Sequence, residues 1–154
     1  PLASPAVQTK RGRALKARFF RSLPAIKRLI DDVQGVLTGP NKRPYLIGID
    51  GRHLPIRSSH SALNTLLQSA GAVLMKLATV IFHKEAQRRG FKLGEDYVQV
   101  LHVHDEAQFN TAPEKADALG KLFVESIELA GRHFGMRCPT TGEFKAGANW
   151  AETH

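Results

Sequence analysis

The chain has 154 residues, and its 22 Lys and Arg against 14 Asp and Glu give a formal net charge of +8. This length allows one domain, or one domain and part of another, and 42% hydrophobic with 23% charged residues excludes a disordered or collagen-like chain. The single cysteine, Cys138, excludes an internal disulfide and a CxxC zinc pattern, and suits a reducing compartment.

The positive charge is concentrated in the first part of the chain. Residues 1–60 carry 12 Lys and Arg against 3 acids, whereas residues 61–154 carry 10 against 11. This asymmetry predicts an anionic partner, and a nucleic acid is favoured over a membrane because no stretch approaches the roughly 20 apolar residues of a spanning helix. A charged face that only promotes solubility is the alternative interpretation.

Two helices are predicted after an aperiodic entry over residues 1–9. The first is a basic helix that opens at Lys10 and runs to Ser22. Ser22 is expected to cap the second helix, with Pro24 in its first turn and Gly39 at its end. The apolar positions of this second helix recur at helical spacing: Ile26, Leu29, Ile30, Val33 and Leu37.

A β-hairpin is predicted around Asp50-Gly51, because both residues tolerate positive φ in a two-residue turn. Its strands cover residues 45–49 and 52–57, and Pro55 makes the second an edge strand.

A long helix is predicted from about Ser59 to Arg89, stopped by Gly90. Its apolar stripe comprises Leu63, Leu66, Leu67, Ala70, Leu74, Leu77 and Ile81.

Two antiparallel strands, 97–103 and 107–111, are predicted next, with His104-Asp105-Glu106 at their connection. Thr111 and Glu114 form a capping box for a helix that ends at Gly135, and residues 136–154 are expected to form short strands and turns. The order of elements predicts an α+β fold. The apolar positions of that last helix are Leu119, Leu122, Phe123, Ile127, Ala130 and Phe134.

The connection between these two strands carries ionisable residues instead of the Gly, Asn or Pro typical of turns. A carboxylate such as Asp105 at the end of a rigid strand is a suitable half-site for a phosphate-bound Mg²⁺. A solvated acidic turn is the plain alternative. An alternative interpretation is a zinc site, in which His102 and His104 are two ligands and one further histidine is the third. The candidates for that ligand are His60, His133 and His154.

His60, Asn64 and Gln68 recur every four residues and form a polar ridge on the long helix. Because these groups are uncharged and can form hydrogen bonds, they suit base edges or sugars in a minor groove, although a solvated face is the usual explanation. Arg52 and Arg57 in the hairpin are candidates for phosphate contacts, or only solubilising.

These residues together resemble the carboxy-terminal part of a bacteriophage family A (Pol I-like) DNA polymerase. The resemblance runs from about Gly12 to His154 in the right order. Its motifs are Asp50-Gly-Arg52, Arg57-Ser58, the string His60 to Gly71, Val103-His-Asp-Glu106, and Gly147-Ala-Asn-Trp150 ending at His154.

The resemblance implies a partial polymerase palm, in which an antiparallel hairpin bearing His-Asp-Glu packs on long helices. Residues 1–44 would be fingers-like basic helices, 45–58 a β-hairpin and 59–154 the palm portion. It implies that Asp105 is a ligand of the catalytic metals, that Glu106 supports the site and that His104 lies near the primer end. Asn64 and Gln68 would contact the minor-groove side of the primer–template, and His60 stands where cellular relatives have Arg.

Two family motifs do not appear in these residues: a DYS-like strand with the partner metal-binding Asp, and the fingers helix whose Arg, Lys and Tyr hold the incoming triphosphate. The implied function is transfer of nucleotides from dNTP to a primer 3′-hydroxyl with two Mg²⁺ ions, in partnership with a further, N-terminal polymerase segment, without a membrane, in the host cytoplasm. A non-catalytic nucleic-acid-binding module stays open as the alternative, and a histidine-based metal hydrolase as a third.

Overall fold

The computed structural model describes residues 5–153 of the chain. They form helices and two small two-stranded sheets, so the predicted α+β class is confirmed. The elements in order are α1 (Pro5–Ser22), α2 (Pro24–Thr38), β1 (Tyr45–Ile47), β2 (His53–Pro55), a 3₁₀ turn (Ser59–Ser61), α3 (Ala62–Arg88), β3 (Tyr97–Val103), β4 (Glu106–Thr111), α4 (Pro113–His133) and α5 (Trp150–Thr153).

The chain divides into two compact units. The first comprises the chain up to Leu46 together with His53–Leu66, and the second comprises Ile47–Arg52 and the chain from Leu67 onward. The core of the first unit is formed by Val33 of α2, Leu46 of β1 and Ala62 of α3. Each of these elements therefore contributes one fully buried apolar side chain.

The start of the first two helices differs from the prediction. The helix α1 begins at Pro5, in the segment expected to be aperiodic, since proline fits the first turn of a helix. Ser22 does not cap α2: its hydroxyl donates to the Arg18 carbonyl at 3.1 Å, and the N-cap position is Leu23.

The hairpin is present with shorter strands and a longer loop than predicted. The Gly48 N–H donates to the Arg52 carbonyl at 2.8 Å, so the strands are joined by residues 48–52 and not by a two-residue turn. Gly51 has φ +83, the left-handed conformation that glycine adopts without strain, whereas Asp50 does not take positive φ. A two-residue turn of the predicted type needs both residues there.

The core of the second unit lies between α3, α4 and the β3–β4 sheet. Phe82 on α3 is the centre of an aromatic cluster, with ring centroids 5.2 Å from Tyr97, 4.8 Å from Phe109 and 5.4 Å from Phe123. Burial raises the pKa of the Tyr97 phenol, whose oxygen lies 3.1 Å from His83 Nδ1. This packing fixes the inner face of the β3–β4 hairpin.

The buried face of α3 coincides with the predicted stripe only in part. Of the predicted positions, Leu74 is buried, Leu77 and Ile81 pack half-buried against the same core, and Leu67 is 56% exposed. The helix is apolar on several sides, so its periodicity alone could not identify the face that packs against α4. The other buried positions of α3 in the second unit are Met75, Ala78, Phe82 and Ala86.

The helices α3 and α4 end just before the glycines that were predicted to stop them. At Gly90 (φ +89) the Phe91 N–H donates to the Ala86 carbonyl at 2.9 Å, which closes α3. Helix α4 buries the predicted Leu119, Leu122, Ile127 and Ala130 and ends before Gly135.

The predicted capping box of α4 is wrong. The N-cap is Ala112, with no side-chain cap, and the Thr111 hydroxyl donates to the Asp96 carbonyl at 2.8 Å.

Residues 136–153 contain no strand in the described structure, contrary to the prediction. They run as irregular chain that ends in the short helix α5.

Among the described residues, one helical segment, Ser59–Arg88, is long and apolar enough to cross a membrane by length and composition. The sequence expectation that no stretch approaches this limit was therefore too strict. Five of its residues instead lie in the core of the second unit, which accounts for much of its apolar composition.

Candidate active-site hairpin

The three catalytic candidates come together at the tip of the β3–β4 hairpin. Val103 pairs with Glu106, so only His104 and Asp105 form the turn. The side chains of His104 and Asp105 are exposed, whereas Glu106 is the first residue of β4 and is half-buried. The hairpin therefore holds one carboxylate in solvent and a second against the protein.

The backbone of the turn is unusual at His104. Its φ is +54, and among the described residues it is the only non-glycine residue with positive φ. Such a conformation costs a non-glycine residue on the order of 1–3 kcal/mol and is concentrated at functional sites. The sequence showed that the turn lacks glycine, and the structure shows which residue bears the strain.

The carboxylate of Glu106 accepts two hydrogen bonds at the same oxygen. Gln108 Nε2 donates to Oε1, and Trp150 Nε1 donates to Oε1 at 3.2 Å. Sequence reasoning gave Gln108 and Trp150 no role, because Trp150 lies 44 residues away along the chain. The only available signal was the presence of Trp150 in the Gly147–Trp150 motif.

The polar ridge lies at the start of the long helix. His60 lies in the 3₁₀ turn, while Asn64 and Gln68 occupy successive turns of α3, and all three side chains are exposed. A 3₁₀ turn has three residues per turn, so the four-residue spacing from His60 does not follow the ideal α-helical ridge. The uncharged side chains of Asn64 and Gln68 are open to a ligand.

The two candidate arginines differ in their surroundings. Arg52 Nε lies 2.5 Å from Asp50 Oδ2, and the Arg52 side chain is 56% exposed. Arg57 is exposed just before the 3₁₀ turn, and the described residues show no ion pair for it. Arg57 is thus the more available cation for a phosphate.

No group of three or more His, Cys, Asp or Glu side chains within residues 5–153 is placed to hold a metal ion. Within the second unit, the described residues therefore give no support for a zinc site of His102 and His104 with His133, and His154 lies outside the described residues. Asp105 and Glu106 supply oxygen donors of the kind Mg²⁺ prefers, but fewer than it needs. The hairpin fits part of a magnesium site.

Comparison with known proteins shows the family of the chain. The profile of DNA polymerase family A matches residues 3–152. The chain belongs to DNA polymerase family A. The DNA-directed DNA polymerases of Enterobacteria phage T3 and Escherichia phage T7 are each 35% identical to it over 159 residues, covering 94% of this chain.

This family A chain spans about 23% of the length of those phage relatives. A solved structure described as the POL domain of Pol1 from M. smegmatis, in complex with DNA primer-template and dNTP, superimposes with a TM-score of 0.68 at 20% identity. The match covers 79% of this chain and 22% of the neighbour. It shows that the fold is that of a polymerase domain.

Proposed function

We propose that this chain is the catalytic segment of a template-directed DNA polymerase, which transfers nucleotides from dNTP to a primer 3′-hydroxyl. The observation that carries the proposal is the Asp105 carboxylate, exposed at the tip of a two-residue turn with Glu106 beside it. The family membership supports this function, and so does the DNA primer-template and dNTP in the M. smegmatis neighbour.

In this proposal Asp105 is a metal ligand, Glu106 supports it and His104 lies near the primer end. Two Mg²⁺ ions, when bound, would stabilise charge on the attacking and leaving oxygens. Asn64 and Gln68 hold the minor-groove side of the primer–template, with His60 beside them, and Arg52 and Arg57 contact phosphates.

A second polymerase segment completes the site. It supplies the other metal-binding carboxylate, because the described residues hold no complete set of metal ligands. It also supplies the dNTP-binding helix. Apolar side chains support this need for a neighbour: on β3, Val98 is 42% and Val100 60% exposed, and on α1, Leu15 is 59% exposed. Such exposed apolar residues on several elements are typical of surfaces covered by another segment.

The proposal assigns residues 1–44 to the fingers, 45–58 to a β-hairpin and 59–154 to the palm, in an enzyme that works in the host cytoplasm. The other candidate is a nucleic-acid-binding module without catalysis, favoured by the incomplete metal group. A carboxylate facing phosphates would weaken such a module, so Asp105 favours the polymerase.

Primer extension tests the proposal, with the chain alone and mixed with a segment that carries the two further motifs. We expect no extension by the chain alone and template-dependent extension by the mixture. Asp105→Ala should lower extension by the mixture at least about 100-fold, as loss of a preorganised charge contact in a transition state does. The matched control is Asp117→Ala, which removes an exposed carboxylate from α4.

Extension by the chain alone would show that it holds a complete site and needs no second segment. No extension by the mixture would favour the binding module. Activity of Asp105→Ala within about tenfold of the unsubstituted mixture would contradict the role of Asp105.

A further inference from the structure

The chain after α4 follows a defined path across that helix. A Cβ atom at Gly120 would lie 2.2 Å from the Phe144 ring, and one at Gly131 would lie 1.8 Å from Thr140 Oγ1. The two glycines therefore let the returning chain lie directly on α4. The Thr140 hydroxyl also donates to the Ile127 carbonyl at 3.3 Å.

This path ends in α5, which is held against β4 at two points. Trp150 Nε1 donates to Glu106 Oε1 at 3.2 Å, and the Thr153 hydroxyl donates to Gln108 Oε1 at 3.3 Å. Gln108 in turn donates from Nε2 to Glu106 Oε1. The two α5 side chains thus act on the same carboxylate, one directly and one through Gln108.

The contact of Trp150 with Glu106 includes a hydrogen bond to a carboxylate. Trp150 is 56% exposed, and a tryptophan placed only for packing would be covered to a greater extent. Its indole N–H instead donates to a carboxylate, and hydrogen bonds to charged groups are the stronger ones.

We propose that Trp150 is a positioning residue for nucleotide transfer: it fixes the Glu106 carboxylate next to Asp105. The inference rests on the proposed function, in which Glu106 supports the metal-binding Asp105. Since Glu106 begins β4 directly after the turn, a rotation of its side chain would change the charge beside Asp105.

The decisive comparison is Trp150→Phe against Trp150→Leu in the mixture that extends primers. Phe keeps an aromatic ring and lacks the N–H, so a hydrogen-bond role predicts that both variants lower kcat by about three- to tenfold. KM for dNTP and the affinity for primer–template should stay unchanged. If Phe behaves as the unsubstituted chain and only Leu is impaired, the ring matters and the proposal is wrong.

A double-mutant cycle separates positioning from general structural support. If Trp150 acts through Glu106, Trp150→Phe should have no further effect on kcat when Glu106→Ala is already present. Equal losses in both backgrounds would overturn the proposal.

Fluorescence of the isolated chain tests the contact independently of polymerase activity. Trp150 is the only tryptophan in the sequence, so its emission reports this site alone. Glu106→Ala should shift the emission maximum, whereas Asp117→Ala should not. If the emission shifts but the unsubstituted mixture does not extend primers, the proposed function is wrong and the Trp150–Glu106 contact stands. If the emission does not shift, the contact itself is wrong.

Discussion

Asp105 is exposed because the chain reverses direction within two residues. A side chain at such a tip has neighbours on one side only, so its carboxylate stays hydrated and avoids the cost of an unpaired buried charge. The backbone bears a cost instead, at His104 with φ +54. Strain next to an ionisable pair supports the proposal that this turn serves a function other than joining two strands.

Gln68→Ala should reduce extension of a paired primer end more than it reduces DNA binding. One or two neutral hydrogen bonds, each worth roughly 0.5–1.5 kcal/mol, would be lost, which predicts extension lower by about 2- to 12-fold for one bond. These bonds orient the terminus, so the loss falls mainly on the chemical step. Gel-shift binding and single-turnover extension measure the two effects.

The control for this prediction is Gln87→Ala, which removes an exposed glutamine from the last part of the same helix. It should change neither quantity. If Gln68→Ala lowers binding and extension equally, the residue is a general DNA contact and has no role at the primer end.

The helix starts show where local sequence signals fail. Ser22 and Thr111 each precede a helix and were predicted as caps, yet the helices begin at Pro24 and Pro113. The residue before a proline is pushed into the extended region, and proline fits the first helical position. The N-cap is therefore the residue before the proline, and the hydroxyl side chain is one position too early.

Elements with strong periodicity were predictable, and contacts distant in sequence were not. Strand β3 and the buried stripe of α4 follow from alternation and helical spacing, and the turn at Asp105 follows from the two strands around it. The bond between Trp150 and Glu106 depends on the path of the chain over α4, which no local pattern encodes. The position of the His104–Asp105 turn could thus be predicted from the sequence, whereas the hydrogen bond that Trp150 donates to Glu106 could not.

Asp96 connects the loop before β3 to β4 and α4, and its lowered pKa predicts a pH dependence of stability for the second unit. Its Oδ2 accepts the Lys92 N–H at 2.7 Å, its Oδ1 contacts the Lys115 ammonium of α4, and its carbonyl accepts the Thr111 hydroxyl. The bond from Lys115, followed by the Lys92 N–H, holds the pKa of Asp96 below its ordinary value of 3.8.

Asp96→Asn should lower stability at neutral pH. A carboxyl with a lowered pKa in the folded state contributes stability that is present above its unfolded pKa and is lost as pH falls through its folded pKa. The difference between Asp96→Asn and the unsubstituted chain should therefore be full near pH 7 and shrink below about pH 4. Urea unfolding followed by circular dichroism between pH 2 and 7 measures it.

Asp117→Asn is the control, since Asp117 makes only an exposed pair with Lys121 on the surface of α4. It should have little effect at any pH. A stability difference for Asp96→Asn that does not change with pH would show that Asp96 acts through shape and not through its charge.

At the scale of the whole molecule, charge and catalytic candidates lie in different parts of the sequence. Residues 1–60 hold the excess of cations, including the exposed Lys and Arg of α1 from Lys10 onward, whereas the β3–β4 hairpin lies in the part with a slight excess of acids. A nucleic-acid backbone would be attracted by the first part, and the carboxylates of the second would stay available for metal ions.

The salt dependence of DNA affinity should separate Arg57 from Arg52. Each phosphate neutralised on duplex DNA contributes about 0.9 to the slope of log K against log salt. Arg57→Ala should therefore reduce that slope by about 0.9. Arg52→Ala should reduce it by less, because Asp50 already neutralises part of the Arg52 charge across 2.5 Å. Fluorescence anisotropy of a labelled primer–template at several salt concentrations gives the slopes.

Arg88→Ala is the control for this prediction. It removes an exposed arginine paired with Glu85 and should leave the slope unchanged. If all three variants lower the slope equally, DNA affinity depends on the net charge of the protein alone. Arg52 and Arg57 would then make no specific phosphate contact.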